Sequence, residues 1–238
     1  LSEMFARPAL REMLAFRGGT ALHKLFFDPP GRYSEDLVQV TAGPIKPVLL
    51  EVQESLDGWL GSPRSEQAAD SVKLLYGFET TAQPVRRLRV KIEINTREHF
   101  SVEGFQHVSF TVENPWYAAT ALVTTYALEE LMATKLRALY QRRKGRDLYD
   151  LWLALETLAP DEERVVAGLR AYLKHGGLSV SRAQYEANMA QKLACADFRN
   201  DIMPLLRDES GYDIDQAYRL VHERLIARIP GEPWKGLS

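Results

Sequence analysis

Apolar residues recur along this chain at two intervals, and beyond about residue 126 only the helical interval remains. Arg7 to Phe16 carries Leu10, Met13 and Leu14 at i, i+3, i+4 spacing, which predicts a helix ending against Gly18-Gly19. Thr20 to Phe26 can start a second helix directly from that glycine pair. Asp28-Pro29-Pro30-Gly31 reads as a turn, and Asp36 to Val40 as a short strand. Pro44 to Leu60 places Val48, Val52, Leu56 and Leu60 at four-residue steps, another helix, before Ser62-Pro63 breaks the chain. A period of two then takes over: Val72 to Phe78, Arg87 to Asn95 and His107 to Val112 read as strands, with Ala121 to Thr125 as one more. In the middle strand Leu88, Val90, Ile92 and Ile94 point one way, and Arg87, Arg89, Lys91, Glu93 and Asn95 the other. One face is therefore expected in the core and the other in a polar, functional cleft.

From Ala127 the pattern is helical. Leu128, Leu131, Met132, Leu136 and Leu139 form one stripe, and Leu148, Leu151, Trp152 and Leu155 the next. Further helices are expected at Asp161 to Leu173, Ser181 to Leu193 and Ile214 to Ile229, with a frayed Pro/Gly-rich tail from Pro230. The expected class is α+β, with an α/β domain over residues 1–126 and an all-α domain over residues 127–238.

Composition narrows the field. At 238 residues and 45% apolar content the chain can fill a core, and a net charge of -2 gives no global attraction to nucleic acid, so such a surface must be local. The single cysteine, Cys195, excludes an internal disulfide and a cysteine-built zinc site and fits a reducing compartment. No apolar run reaches the roughly 18 residues that span a bilayer, and no signal-peptide pattern opens the chain. A cytoplasmic protein without a membrane partner is expected.

Several positions carry chemistry. Gly18-Gly19 lets backbone approach a phosphate, the amides of the following helix face it, and Thr20 adds a hydroxyl; a plain turn is the alternative. Asp36, with Ser34 two residues earlier on the same face, offers a carboxylate to a hard cation such as Mg²⁺, or else an edge-strand partner for Arg32. Glu93 can complete that metal cradle or form a cross-strand ion pair. Lys135 shares the apolar side of its helix, where it can meet phosphates as a point charge or snorkel to water. Arg142, Arg143, Lys144 and Arg146 continue a run of cations from Lys135 and Arg137 with no acid between them, which suits a nucleic-acid backbone or a solvated helix end. Asp147 then reads as an N-cap or as an acid that accepts a proton.

In this order the motifs resemble the AbiEii/AbiGii toxin family of nucleotidyltransferases, within the superfamily typified by DNA polymerase β. The resemblance rests on Gly18-Gly19-Thr20-Ala21-Leu22, then Arg32-Tyr33-Ser34-Glu35-Asp36-Leu37-Val38. It continues in the strand acid of Lys91-Ile92-Glu93-Ile94, in Lys135-Leu136-Arg137-Ala138-Leu139, and in Arg146-Asp147-Leu148-Tyr149-Asp150-Leu151. It implies a nucleotidyltransferase-like mixed sheet with flanking helices, and a helical domain that contributes to the active-site cleft. It also implies a toxin of a bacterial toxin–antitoxin or phage-defence pair that uses a nucleoside triphosphate and Mg²⁺ to add nucleotides to RNA, with the tRNA acceptor end as target and a cognate antitoxin as partner. On this resemblance Gly18, Gly19, Thr20, Ser34 and Lys135 bind nucleotide, Asp36 and Glu93 hold metal, and Asp36, Lys135 and Asp147 are catalytic. The family pattern has aspartate where this chain has Val38, so the metal pair should be weakened. A non-catalytic nucleotide- or partner-binding module and a kinase-like phosphotransferase are the alternatives from other classes.

Overall fold

The computed structural model describes residues 1–28, 38–39, 43–80, 83–206 and 211–236, positions 38–39 as backbone alone. Contacts divide the chain into two compact units, Leu1–Ala21 with Ser34–Tyr126, and Leu22–Tyr33 with Ala127–Ser238.

The first unit opens with α1 (Ser2–Ala6) and α2 (Pro8–Met13), the latter entered through a proline whose missing N–H costs nothing in a first helical turn. The expected helix through Phe16 stops at Met13. Leu14, Ala15 and Phe16 are consecutive buried residues, and strand β1 (Leu14–Ala15) pairs antiparallel with β2 (Val38–Gln39). Phe16 N–H donates to the Thr124 carbonyl at 2.7 Å, and Thr125 Oγ1 donates to the Phe16 carbonyl at 2.7 Å. Tertiary hydrogen bonds thus override a helical spacing only three residues deep. The short helix α3 (Gly18–Ala21) follows.

Helix α4 (Ile45–Leu60) buries Val48, Val52, Leu56 and Leu60, as its four-residue spacing predicts. Each fully buried aliphatic side chain contributes about 1.5–3 kcal/mol. Asp57 on this helix accepts from Tyr76 Oη at 2.9 Å, and Arg7 pairs with Glu51 and Glu54. Strands β3 (Arg64–Gln67), β4 (Ser71–Glu79) and β5 (Arg87–Asn95) form one antiparallel sheet, and β6 (Phe105–Asn114) with β7 (Tyr117–Tyr126) another. The strands do not join into the expected mixed sheet among the described residues: every ladder is antiparallel, and the only parallel element is the bridge between Phe16 and Thr125. The β5 alternation is also only half covered. Ile92 and Ile94 are buried with Val72, Leu74 and Tyr76, whereas Leu88 and Val90, toward the β4–β5 turn, are exposed. Alternation marks a face; packing decides how much of it is covered.

The second unit begins with the π-helical segment Leu22–Phe26 and is otherwise the run of helices after Ala127. These are α5 (Leu128–Gln141), α6 (Gly145–Thr157), α7 (Glu162–His175), α8 (Arg182–Leu193), α9 (Ala196–Asn200) and α10 (Ile214–Arg224). Side-chain caps set three of the starts. Asp161 accepts from the amides of Glu163 and Arg164, Ser181 and Gln184 form a reciprocal capping box, and Asp213 accepts from the Gln216 amide. Helix α5 packs on α6 and α7, and α10 on α6. The tail is not frayed where it is described. The Pro230 carbonyl accepts from the Arg182 amide, and the Trp234 amide donates to Glu186 Oε2 at 2.6 Å, so the Pro/Gly-rich segment is tied to α8.

Candidate functional site

Lys135 sits on the buried side of α5, seven residues after Leu128, and is only 5% exposed. Its head does not snorkel: Nζ lies 3.0 Å from Asp147 Oδ1 and 2.7 Å from Asp150 Oδ2. Asp147 and Asp150, three positions apart on α6, project from one side of that helix and are fully buried. Asp147 is not the N-cap, a position held by Lys144; it lies in the first turn of α6, where the helix dipole favours a carboxylate. Arg142 donates from Nε to Asp147 Oδ2 at 2.6 Å and from a terminal nitrogen to Oδ1 at 2.8 Å. At the other end, His23 Nε2 lies 2.8 Å from Asp150 Oδ1. The imidazole packs edge-on to Phe27 and parallel to Tyr149. The result is one chain of polar contacts, His23–Asp150–Lys135–Asp147–Arg142, buried from His23 to Asp147 and reaching the surface at Arg142, in which two carboxylates meet a lysine and an arginine. Charges this deeply buried persist only when paired and hydrogen-bonded.

Sequence reasoning selected Lys135 and Asp147 and assigned no role to His23 or Asp150. The signal for Asp150 was its three-residue step from Asp147. His23 repeats that step from Thr20, and neither spacing names a partner more than a hundred residues away.

The other candidates fall as follows. Gly18 opens α3 with φ +70, a left-handed conformation that glycine adopts without penalty, and Gly19 and Thr20 are buried in the same turn. Ser34 and Asp36 lie outside the described residues, as does Arg32. The backbone of β2, which carries Val38, runs beside β5, the strand of Glu93. Glu93 stands opposite Lys73 on β4, with Oε1 3.5 Å from Lys73 Nζ and Oε2 3.2 Å from Lys91 Nζ. A divalent cation at Glu93 would have to displace these ammonium groups. Among the described residues no group of three or more His, Cys, Asp or Glu side chains is arranged to hold a metal.

The cations after Lys135 are less unbalanced than their sequence implies. Arg142 is held by Asp147, and Lys144 and Arg146 converge on Asp201, contributed by the segment after α9. Burial acts to raise the Asp201 carboxyl, but hydrogen bonds from the Arg146 side chain and amide outweigh it and bring the group down to about 2. Arg143 is exposed, and the Arg137 guanidinium lies 4.8 Å from the centre of the Tyr172 ring.

Two solved structures share this fold. MenT4, a nucleotidyltransferase toxin from Mycobacterium tuberculosis H37Rv, superposes with a TM-score of 0.63 at 19% identity, over 97% of this chain and 82% of its own. A proposed nucleotidyltransferase from H. pylori gives a TM-score of 0.59 at 17% identity, over 94% of this chain and 87% of its own. No curated protein matches the chain. The family of nucleotidyl transferase AbiEii toxins of type IV toxin–antitoxin systems matches residues 1–220, and the chain belongs to that family. Membership brings with it a nucleoside triphosphate substrate and an antitoxin partner. Among the described residues no helix is long and apolar enough to cross a membrane.

Proposed function

We propose that this toxin transfers a nucleoside monophosphate from a nucleoside triphosphate to the 3′ end of an RNA, the tRNA acceptor end in particular. The observation that carries the proposal is Lys135, a buried lysine fixed between two carboxylates in a chain of the AbiEii family. In this reading the turn at Gly18, Gly19 and Thr20, with Ser34, cradles the triphosphate through backbone and hydroxyl donors. Asp36 and Glu93 would hold Mg²⁺, which supplies charge neutralisation at the phosphates when bound. Lys135 offsets negative charge that develops as pyrophosphate departs. Asp147, bonded through both oxygens to Lys135 and Arg142, acts as a positioning residue. Arg142, Arg143, Lys144 and Arg146 offer phosphate contacts to the RNA, with Arg143 least engaged by protein carboxylates.

Val38 and the lysines around Glu93 favour a second reading, a module that binds nucleotide without turnover. The two readings separate when wild type and Val38→Asp are each incubated with total tRNA, Mg²⁺ and nucleotide labelled at the α- or the γ-phosphate. Transfer of α-label to RNA supports the transferase. Mg²⁺-dependent binding without transfer, even after Val38→Asp, supports the module, and transfer of γ-label would make the protein a phosphotransferase instead.

A further inference from the structure

Among the described residues strand β6 is the edge of its sheet. Its ten residues pair with β7 in unbroken register from Phe105↔Tyr126 to Asn114↔Tyr117, and among the described residues no strand pairs with its other side. Edge strands are normally defended by lysine, proline, a bulge or a covering element. Phe105–Asn114 contains no lysine, arginine or proline and no bulge, and its side chains are exposed or half-buried throughout.

The ladder shows which backbone groups point outward. Antiparallel partners alternate between pairs that exchange hydrogen bonds and closer pairs that do not. Thr111 Oγ1 lies 2.9 Å from Thr120 Oγ1, and His107 Nδ1 lies 3.1 Å from Thr124 Oγ1, cross-strand contacts expected of the closer, unbonded pairs. The odd-numbered residues His107, Ser109, Thr111 and Glu113 therefore turn their N–H and C=O groups away from β7.

We infer that β6 pairs antiparallel with β6 of a second copy of this chain, about a two-fold axis through Phe110. Only registers that set odd against odd residues can satisfy the outward groups. One of these places His107 against Glu113, Ser109 against Thr111, Val108 against Val112 and Phe110 against itself. Imidazole meets carboxylate, hydroxyl meets hydroxyl, and aliphatic meets aliphatic. Moving the axis by one residue to Ser109 sets Gln106 against Val112 and Phe105 against Glu113, losing this match. The occupant is thus specified by the strand itself: it is complementary to its own reverse, which makes an isologous pair.

The test is intermolecular cross-linking of the full chain in a Cys195→Ser background. In an unbonded antiparallel pair the Cα atoms are about 4.5 Å apart, inside disulfide range. Phe110→Cys should therefore form a dimer under mild oxidation. Ser109→Cys should not, because its own copy lies two residues along the partner strand. Sedimentation supplies a second readout that needs no core change. The wild type should show concentration-dependent dimerisation, His107→Glu should weaken it at least tenfold, and adding Glu113→Lys to that variant should restore it. A monomer at every concentration without a Phe110→Cys cross-link overturns the pairing, whether another protein or nothing closes this edge. A cross-link at Ser109→Cys but not at Phe110→Cys overturns the register.

Discussion

His23 and Asp150, 127 positions apart in sequence, meet at 2.8 Å with both side chains almost fully buried. This contact ties the Leu22–Phe26 segment to helix α6, and through Asp150 to Lys135. A neutral isostere cannot serve at Lys135, because the two buried carboxylates facing it would lose a shared counter-ion.

Lys135→Met should accordingly destabilise the protein by about 3–5 kcal/mol, as expected when one partner of a buried ion network is removed. Adding Asp150→Asn should recover part of that loss, since one uncompensated charge disappears with it. A double-mutant cycle in urea measures the coupling, expected at about 1–3 kcal/mol. Additive effects would show that the two groups do not interact as the distances imply.

Acid should weaken the protein partly through Asp201. Its carboxyl lies near 2 in the folded protein against about 3.9 in an unfolded chain, so the unfolded state binds more protons between these values. The stabilisation is complete above about pH 4 and is lost as pH falls through 2. Its size is about 1–2 kcal/mol, and Asp201→Asn should remove that share of the pH dependence. Urea midpoints at pH 5 and pH 2 for the two proteins decide it; equal slopes would contradict the assignment.

Gly145 stands where α6 begins against α9, and a Cβ there would lie 2.2 Å from the Phe198 carbonyl oxygen. Backbone cannot rotate away as a side chain can, so Gly145→Ala should cost about 1–3 kcal/mol. Thermal melting would register this as a loss of several degrees. An unchanged melting temperature would show that the two segments separate easily.

Much of the helical half was legible because α5, α6 and α7 each carry an apolar stripe, and Asp161 and Ser181 are side-chain caps at the expected starts of α7 and α8. Leu14 to Phe16 misled because three apolar residues in a row satisfy a short helix or a buried strand equally; long-range bonds to Thr124 and Thr125 decided between them. Strand β3 carries only polar, exposed residues and left no pattern to find. At the site, Lys135 and Asp147 announced themselves by position, whereas His23 and Asp201 act through partners brought together only by folding. The same limit explains the cation run, whose counter-charge comes from Asp201, more than fifty positions downstream.

Transfer of α-phosphate label to the 3′ end of tRNA by Val38→Asp, compared with Val38→Asp/Lys135→Met, decides whether Lys135 serves nucleotidyl transfer. Labelled RNA is expected from the first protein, and at least a hundredfold less from the second when substrate-binding and unfolding controls show it still folded. Label from neither protein, with Val38→Asp folded and Mg²⁺ present, or equal label from both, would contradict that role.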